Sequence, residues 1–453
     1  MNPRGTLYPL VERLRSRGLV VGAGFAALAL VGAYFHRQAF DRAYVSSYIF
    51  FLGLSLGSLA LLMIHRQLGG AWGFLIRRPL EAGILTIPLM AVLFIPVLIN
   101  LEGIYPWVNH PPGTEAEHVG GVDEPSGVKK AQAEGGAVRV SSTEPVSLDP
   151  AGRLQEYVDS QDASFKQRWL NPTAFTIRVA IYFALWIGLG LILTIGSIRQ
   201  DASGSTDLAY GLNGLSGVGL VIYFLSVSFA LIDWGMSLEP AWYSTLYGVL
   251  LIIGQGISTL AFMIIIAAII SRRGETEGLD KPETFNDLGN LLLAFTMLWG
   301  YLSFSQFLII WAGNLAEEIP WYMRRLHGGW EWMGRFLILF HFAVPFLVLL
   351  ARPLKRNISA LWKIAALVLV AHFIDDFWLI GASTAFDLKD SAGHIIMEPN
   401  PGWFRVTWLD FVVPVAMGGI WFSTFLWFLK GRPLMVAHDP QLLPALKQAS
   451  GGH

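Results

Sequence analysis

Residues 243–271 read YSTLYGVLLIIGQGISTLAFMIIIAAIIS, a run without one charged side chain. A helix needs about 20 predominantly apolar residues to cross the hydrocarbon core of a bilayer. In lipid the backbone must satisfy its own polar groups, so this run is expected to be a membrane-spanning helix. Comparable runs lie at 207–232, 172–197, 80–101, 44–65 and 18–35 on its N-terminal side. Others lie at 286–313, 328–351, 358–381 and 408–430 on its C-terminal side. The predicted fold class is therefore all-α integral membrane, with about ten transmembrane helices. Composition agrees: 54% of the 453 residues are hydrophobic and 14% are charged, against about 25% charged in soluble domains.

A formal net charge of −1 gives no electrostatic basis for binding nucleic acid. The chain has no cysteine, which excludes disulfides, cysteine-ligated iron–sulfur clusters and covalently attached c-type haem on it. An electron-carrying metal centre must then be held by histidine or sit on another subunit. The opening MNPRGTLYPLVERLRSRG is basic and lacks a small-residue cleavage site, so it reads as an uncleaved start leading into a true span. Basic residues gather in one set of connections (Arg13, Arg15, Arg17, Arg77, Arg78, Arg272, Arg273, Lys355, Arg356) and are sparse in the other. The positive-inside rule makes the first set cytoplasmic, with both termini on that side. Trp107, Trp169, Trp234, Trp311, Trp321, Trp330, Trp378 and Trp408 fall near the outer helix ends, where they are expected to form an interfacial belt.

The long outer connection 103–171 contains GTEAEHVGGVDEPSGVKKAQAEGG, too polar and Gly-rich to fold alone. It reads either as a tolerated insertion or as a docking segment for a periplasmic partner; its end, Arg153 to Trp169, has helical character. A weak internal repeat relates Arg178-Val-Ala-Ile-Tyr-Phe183 to Arg335-Phe-Leu-Ile-Leu-Phe340, and Ile232-Asp233-Trp234 to Ile374-Asp375-Asp376-Phe377. The spacing of four helices predicts two parallel four-helix bundles. The expected division is 1–43 (N-terminus and first flanking helix), 44–234 (first bundle, with the insertion), 235–381 (second bundle) and 382–453 (loop, tenth helix and tail). Gly53-x-x-x-Gly57 and Gly211, Gly214, Gly217 and Gly219 are expected to allow close helix approach, and Gly69-Gly70 to make a turn.

Ionisable groups inside a bilayer are costly and mark functional candidates. Arg178 with Asp233, and Arg335 with Asp375 or Asp376, are expected to form one Arg–Asp pair in the outer half of each bundle; such pairs either carry protons or only fix helix packing. His372 has Asp375 and Asp376 at i+3 and i+4 on its own face, and His341 lies at comparable depth. Histidine titrates near neutral pH and passes protons to carboxylates, so these four define a candidate proton pathway. Gln306, Ser305 and Ser303 extend it, and His65 and Glu81 form a second half-route or serve as ordinary interfacial residues. His341 and His372 also raise a b-type haem. No other metal is expected on the chain.

Several segments are similar to a known family: HRQLGGAWGFLIRRPLEAG (65–83), LNPTAFTIRVAIYFALW (170–186), DWGMSLEPAWYSTLYG (233–248), LWGYLSFSQFLIIWAGNLAEEIPWY (298–322) and HFIDDFW (372–378). They resemble the second large membrane subunit of alternative complex III, a bacterial quinol:electron-acceptor oxidoreductase, in the polysulfide-reductase, NrfD-like group. The resemblance runs from the second helix to the tenth. It implies a bacterial inner-membrane location and three partners: a multihaem cytochrome c subunit, an iron–sulfur subunit and a homologous NrfD-like membrane subunit. Quinol oxidation, c-type haems and iron–sulfur clusters are then expected on those partners, since the first bundle offers Arg178 and Asp233 near its outer surface but no histidine there. Proton movement through the bundles is also implied. The rival readings are a stand-alone secondary transporter and a b-haem-binding quinol-oxidising anchor.

Overall fold

The computed structural model describes residues 7–109, 165–240, 242–273, 278–315, 318–384, 406–430, 434, 439–442, 444, 446 and 447. It is an all-α integral membrane fold with no strand among these residues. Ten helices are long and apolar enough to cross a membrane: α1 Pro9–Phe35, α2 Arg37–Leu68, α3 Ala71–Ile99, α4 Pro172–Ser203, α5 Thr206–Leu238, α6 Leu246–Ser271, α7 Pro282–Gly313, α8 Trp330–Leu350, α9 Ile358–Gly381 and α10 Leu409–Leu429. Most of the candidate docking segment, residues 110–164, lies outside the described residues; 165–169 are helical.

The helices pack as two four-membered rings. In one, α2, α3, α4 and α5 follow one another and α5 returns to α2; in the other, α6, α7, α8 and α9 do the same and α9 returns to α6. α2 and α6 are the shared seam, with 89% and 83% of their apolar windows buried, against 17% for α1 and 22% for α8. The glycines explain how closely the seam closes. A Cβ on Gly57 would stand 2.5 Å from the Gln255 carbonyl oxygen and would overlap Thr259 Oγ1. The Thr259 hydroxyl lies 3.3 Å from the carbonyl of Gly53 and 3.4 Å from that of Leu54. Gly211 and Gly214 have nothing within 4 Å, so they do not bring helices together, whereas Gly219 meets Met63. α1 packs against α10, and α10 also against α2 and α3. There Gly22 and Gly419 oppose each other backbone to backbone.

Three helices depart from regular geometry. α3 is interrupted between Ile84 and Ile87, where the Thr86 hydroxyl is 2.7 Å from that of Ser55 on α2. α8 is π-helical over Leu337–Ala343 and α9 over Phe377–Gly381. Pro345, which has no N–H to give, lies just beyond the first of these. Gly69 and Gly70 join α2 to α3 with φ of 71° and 98°, a left-handed conformation that favours glycine.

One charge assignment changes: Arg77 and Arg78 are not in a solvated connection but inside α3, 1% and 2% exposed. Arg42 lies within α2 and pairs with Asp410 of α10 at 2.7 Å. The tryptophan belt is only partial. Trp107, Trp234, Trp321 and Trp330 are buried, while Trp311 and Trp408 are exposed. Trp234 is held among aromatic rings instead, 4.5 Å from Phe94.

Candidate functional site: a buried histidine–aspartate cluster

The second bundle encloses a cluster of four buried titratable side chains. From α9 come His372, Asp375 and Asp376, one helical turn apart on one face; from α8 comes His341, within the π-helical stretch. All four are at most 3% exposed. His372 Nδ1 lies 3.7 Å from Asp375 Oδ2, and His372 Nε2 lies 3.7 Å from Asp376 Oδ2. His341 Nδ1 lies 4.0 Å from the same Asp375 oxygen. Trp299 of α7 donates its indole N–H to Asp375 Oδ2 at 2.9 Å, and its ring stacks edge-on to His341 at 4.3 Å. The glycine at 254 makes room for His372: a Cβ there would overlap the imidazole. Single-turn π-helical insertions often accompany functional sites because they re-aim one side chain. Here one carries His341 and the other begins just past Asp376.

Charge separations of 3.7–4.0 Å are longer than hydrogen bonds. Neither ring nitrogen of His341 has a hydrogen-bond partner, nor do His372 Nδ1 and Asp376 Oδ1. The same holds for both amide atoms of Gln306, which is buried on α7, and for the Ser303 hydroxyl. A haem does not fit between the two imidazoles. Their ring centroids are 5.4 Å apart and Asp375 approaches both within 4.0 Å, so no macrocycle has room to pass between them.

The first bundle holds a different arrangement at the equivalent depth. Arg178 donates to Asp233 through Nε at 2.8 Å and Nη2 at 3.0 Å. Asp233 also accepts from Trp169 Nε1 at 2.7 Å and from the Tyr182 hydroxyl at 2.9 Å. Arg335 does not form the counterpart of this pair. Arg335 is exposed, with its guanidinium over the Trp332 ring at 4.4 Å, and makes no ion pair with Asp375 or Asp376.

At the opposite end of the first bundle, Glu81 is a partner rather than a free acid. It accepts from Arg78 at 2.6 Å and from the Ser197 hydroxyl at 2.6 Å, and lies 3.7 Å from Arg77. Arg78 also reaches Asp201. His65 packs edge-on against Trp72 and Phe74, with Nε2 3.1 Å from the Gly70 carbonyl. His65 and Glu81 thus belong to the first bundle, and the histidine–aspartate cluster to the second. The two half-routes do not lie in one bundle.

Two networks carry no signal in the sequence. Glu239, just after α5, accepts from Arg325 at 2.9 Å, Arg324 at 2.7 Å and Ser383 at 2.6 Å. Arg325, in the short helix Ile319–Leu326, is buried and covers Trp321. Burial alone would raise the Glu239 carboxyl, but Arg325 and Arg324 outweigh it and hold it below its ordinary value. In the second network, Arg77 donates to Asp439 of the C-terminal tail at 2.5 Å.

Asp439 behaves in the same way: burial raises its carboxyl, and Arg77 overrides that and lowers it. A carboxyl depressed in the folded state contributes stability above its unfolded pKa, and that stability is lost as pH falls through the folded value. Docking of the tail is therefore expected to weaken below the ordinary carboxylate range and to be lost at neutral pH in Asp439→Asn. Limited proteolysis of the tail checks this. Equal cleavage of the wild type and the variant at neutral pH would show that Arg77 does not hold it.

In comparisons with known proteins, no family model matches the chain, and no curated protein matches it significantly.

Proposed function

We propose that the chain is a membrane subunit of a quinol:electron-acceptor oxidoreductase of the alternative complex III type, contributing assembly and a proton pathway. One observation carries the proton reading: four buried titratable side chains, His341, His372, Asp375 and Asp376, stand 3.7–4.0 Å apart inside one helical ring. Imidazole exchanges protons with carboxylate near neutral pH, and a small side-chain rotation closes each gap to hydrogen-bonding distance. Trp299 fixes Asp375 while the unpartnered histidine nitrogens keep their rings free to serve either neighbour. The assignment to this complex rests on the resemblance of segments 65–83, 170–186, 233–248, 298–322 and 372–378. On that reading the chain lies in the bacterial inner membrane with both termini cytoplasmic. Quinol, c-type haems and iron–sulfur clusters then belong to the multihaem cytochrome c, iron–sulfur and homologous NrfD-like partners.

The test is the number of protons moved per electron by the intact complex in vesicles. Asp375→Asn with Asp376→Asn is expected to lower that number while the subunits still co-purify. An unchanged stoichiometry removes the proton pathway from this cluster. Purification without any haem-bearing partner removes the assignment to the complex.

A further inference from the structure

Proton exchange leaves one feature of the cluster unused. His341, His372 and Asp375 each offer a ligand atom, and these atoms lie within 4.8 Å of one another. Zinc-class cations bind imidazole nitrogen and carboxylate oxygen at about 2.0–2.2 Å, which sets neighbouring ligands of a tetrahedral site about 3.3 Å apart. The observed separations of 3.7 Å and 4.0 Å to Asp375 need closure of about 0.4 Å and 0.7 Å to reach that spacing.

We infer that His341 Nδ1, His372 Nδ1 and Asp375 Oδ2 form a binding site for a divalent transition-metal cation of the zinc class. Three further observations support it. Both Nδ1 atoms lack a hydrogen-bond partner in side chains at most 3% exposed. The far nitrogen of His372 faces Asp376 at 3.7 Å. That is the carboxylate–histidine–metal arrangement that holds the proton on one ring nitrogen and presents the other to the metal. The Trp299 indole fixes the ligating Asp375 oxygen from the side at 2.9 Å, which completes an outer shell for two of the three ligands. Charge favours the same occupant. One divalent cation offsets the charge of both carboxylates in this apolar interior while the imidazoles stay neutral. Three protein ligands leave a fourth position for solvent, as in zinc sites that are not purely structural. The site extends the proposed function without depending on it: a cation here occupies the place where protons pass, so loading is expected to stall proton movement.

The experiment uses the full-length chain in detergent, purified through a tag without histidine, stripped with a chelator and titrated with Co2+. One equivalent is expected to bind with the visible ligand-field absorption of a low-coordinate site, and Zn2+ to displace it. His341→Ala and His372→Gln each abolish the bound equivalent. Asp376→Asn retains it with affinity lowered about 10–100-fold, the usual effect of losing an outer-shell carboxylate. His327→Ala, on an exposed residue, changes nothing. If the wild type takes up no Co2+, or if binding persists undiminished in a folded His341→Ala chain, the site does not exist. Because the metal titration is read on the isolated chain and the proton count on the complex, either reading fails without the other.

Discussion

Asp233→Ala is expected to lower the stability of the purified chain by about 3–5 kcal/mol, the cost of stranding one member of a buried ion pair. Asp233 has no solvent exposure and Arg178 little. The carboxylate accepts from Arg178 twice, from Trp169 and from Tyr182, so its removal leaves three side chains without their common acceptor. Arg178 is further held by the Trp169 ring at 4.3 Å, which limits its escape to solvent. Thermal unfolding in detergent measures the loss. Replacing both partners with apolar residues of similar size is expected to recover most of it, because no charge is then left buried. A single-variant loss below about 1 kcal/mol, the range of exposed pairs, would mean that water already reaches Arg178.

The second large effect concerns the seam between the rings. Gly57→Leu is expected to cost about 3 kcal/mol, the upper end of ordinary overpacking. The first atom of the new side chain would meet the Gln255 carbonyl oxygen, which is backbone and cannot turn aside. Separating α2 from α6 would also break the contacts of Thr259 with the carbonyls of Gly53 and Leu54. Gly211→Ala and Gly214→Ala, where nothing lies within 4 Å, are expected to be neutral or stabilising by up to about 1 kcal/mol through helix propensity. The same unfolding measurement separates the two classes of glycine. Equal effects at 57 and 211 would mean that the seam is not tightly closed.

The ten spans were legible because apolar length is a local property, readable one segment at a time. So was the clustering of His372, Asp375 and Asp376, since i+3 and i+4 spacing fixes a shared face within one helix. Arg178 with Asp233 could be inferred from depth alone. The same argument failed for Arg335, whose sequence environment resembles that of Arg178 but whose side chain stays exposed over Trp332. Trp299 carried no signal of its role, because a tryptophan donating across the bundle looks like any other apolar residue in α7. In the sequence Arg77 and Arg78 are topology markers; that their charge is buried becomes visible only once Glu81, Asp201 and Asp439 converge on them. The π-helical turns left one trace, Pro345, and nothing in the sequence said where the extra residue would go.

The contacts of α10 and the tail set the order in which the molecule is completed during synthesis. Arg42 waits for Asp410, 368 positions later, and Arg77 waits for Asp439, 362 positions later. The Arg15 carbonyl is met by Ser423 after 408. The first helices to leave the ribosome therefore enter the bilayer with Arg42 and a glycine face unpartnered until the last helix arrives, while Arg77 has Glu81 beside it in its own helix. Until then both rings can form, but the molecule stays open along the flank of α2. Quality-control proteases that recognise unpaired intramembrane charge would meet it in that interval, and a chain cut short before residue 410 would never leave it.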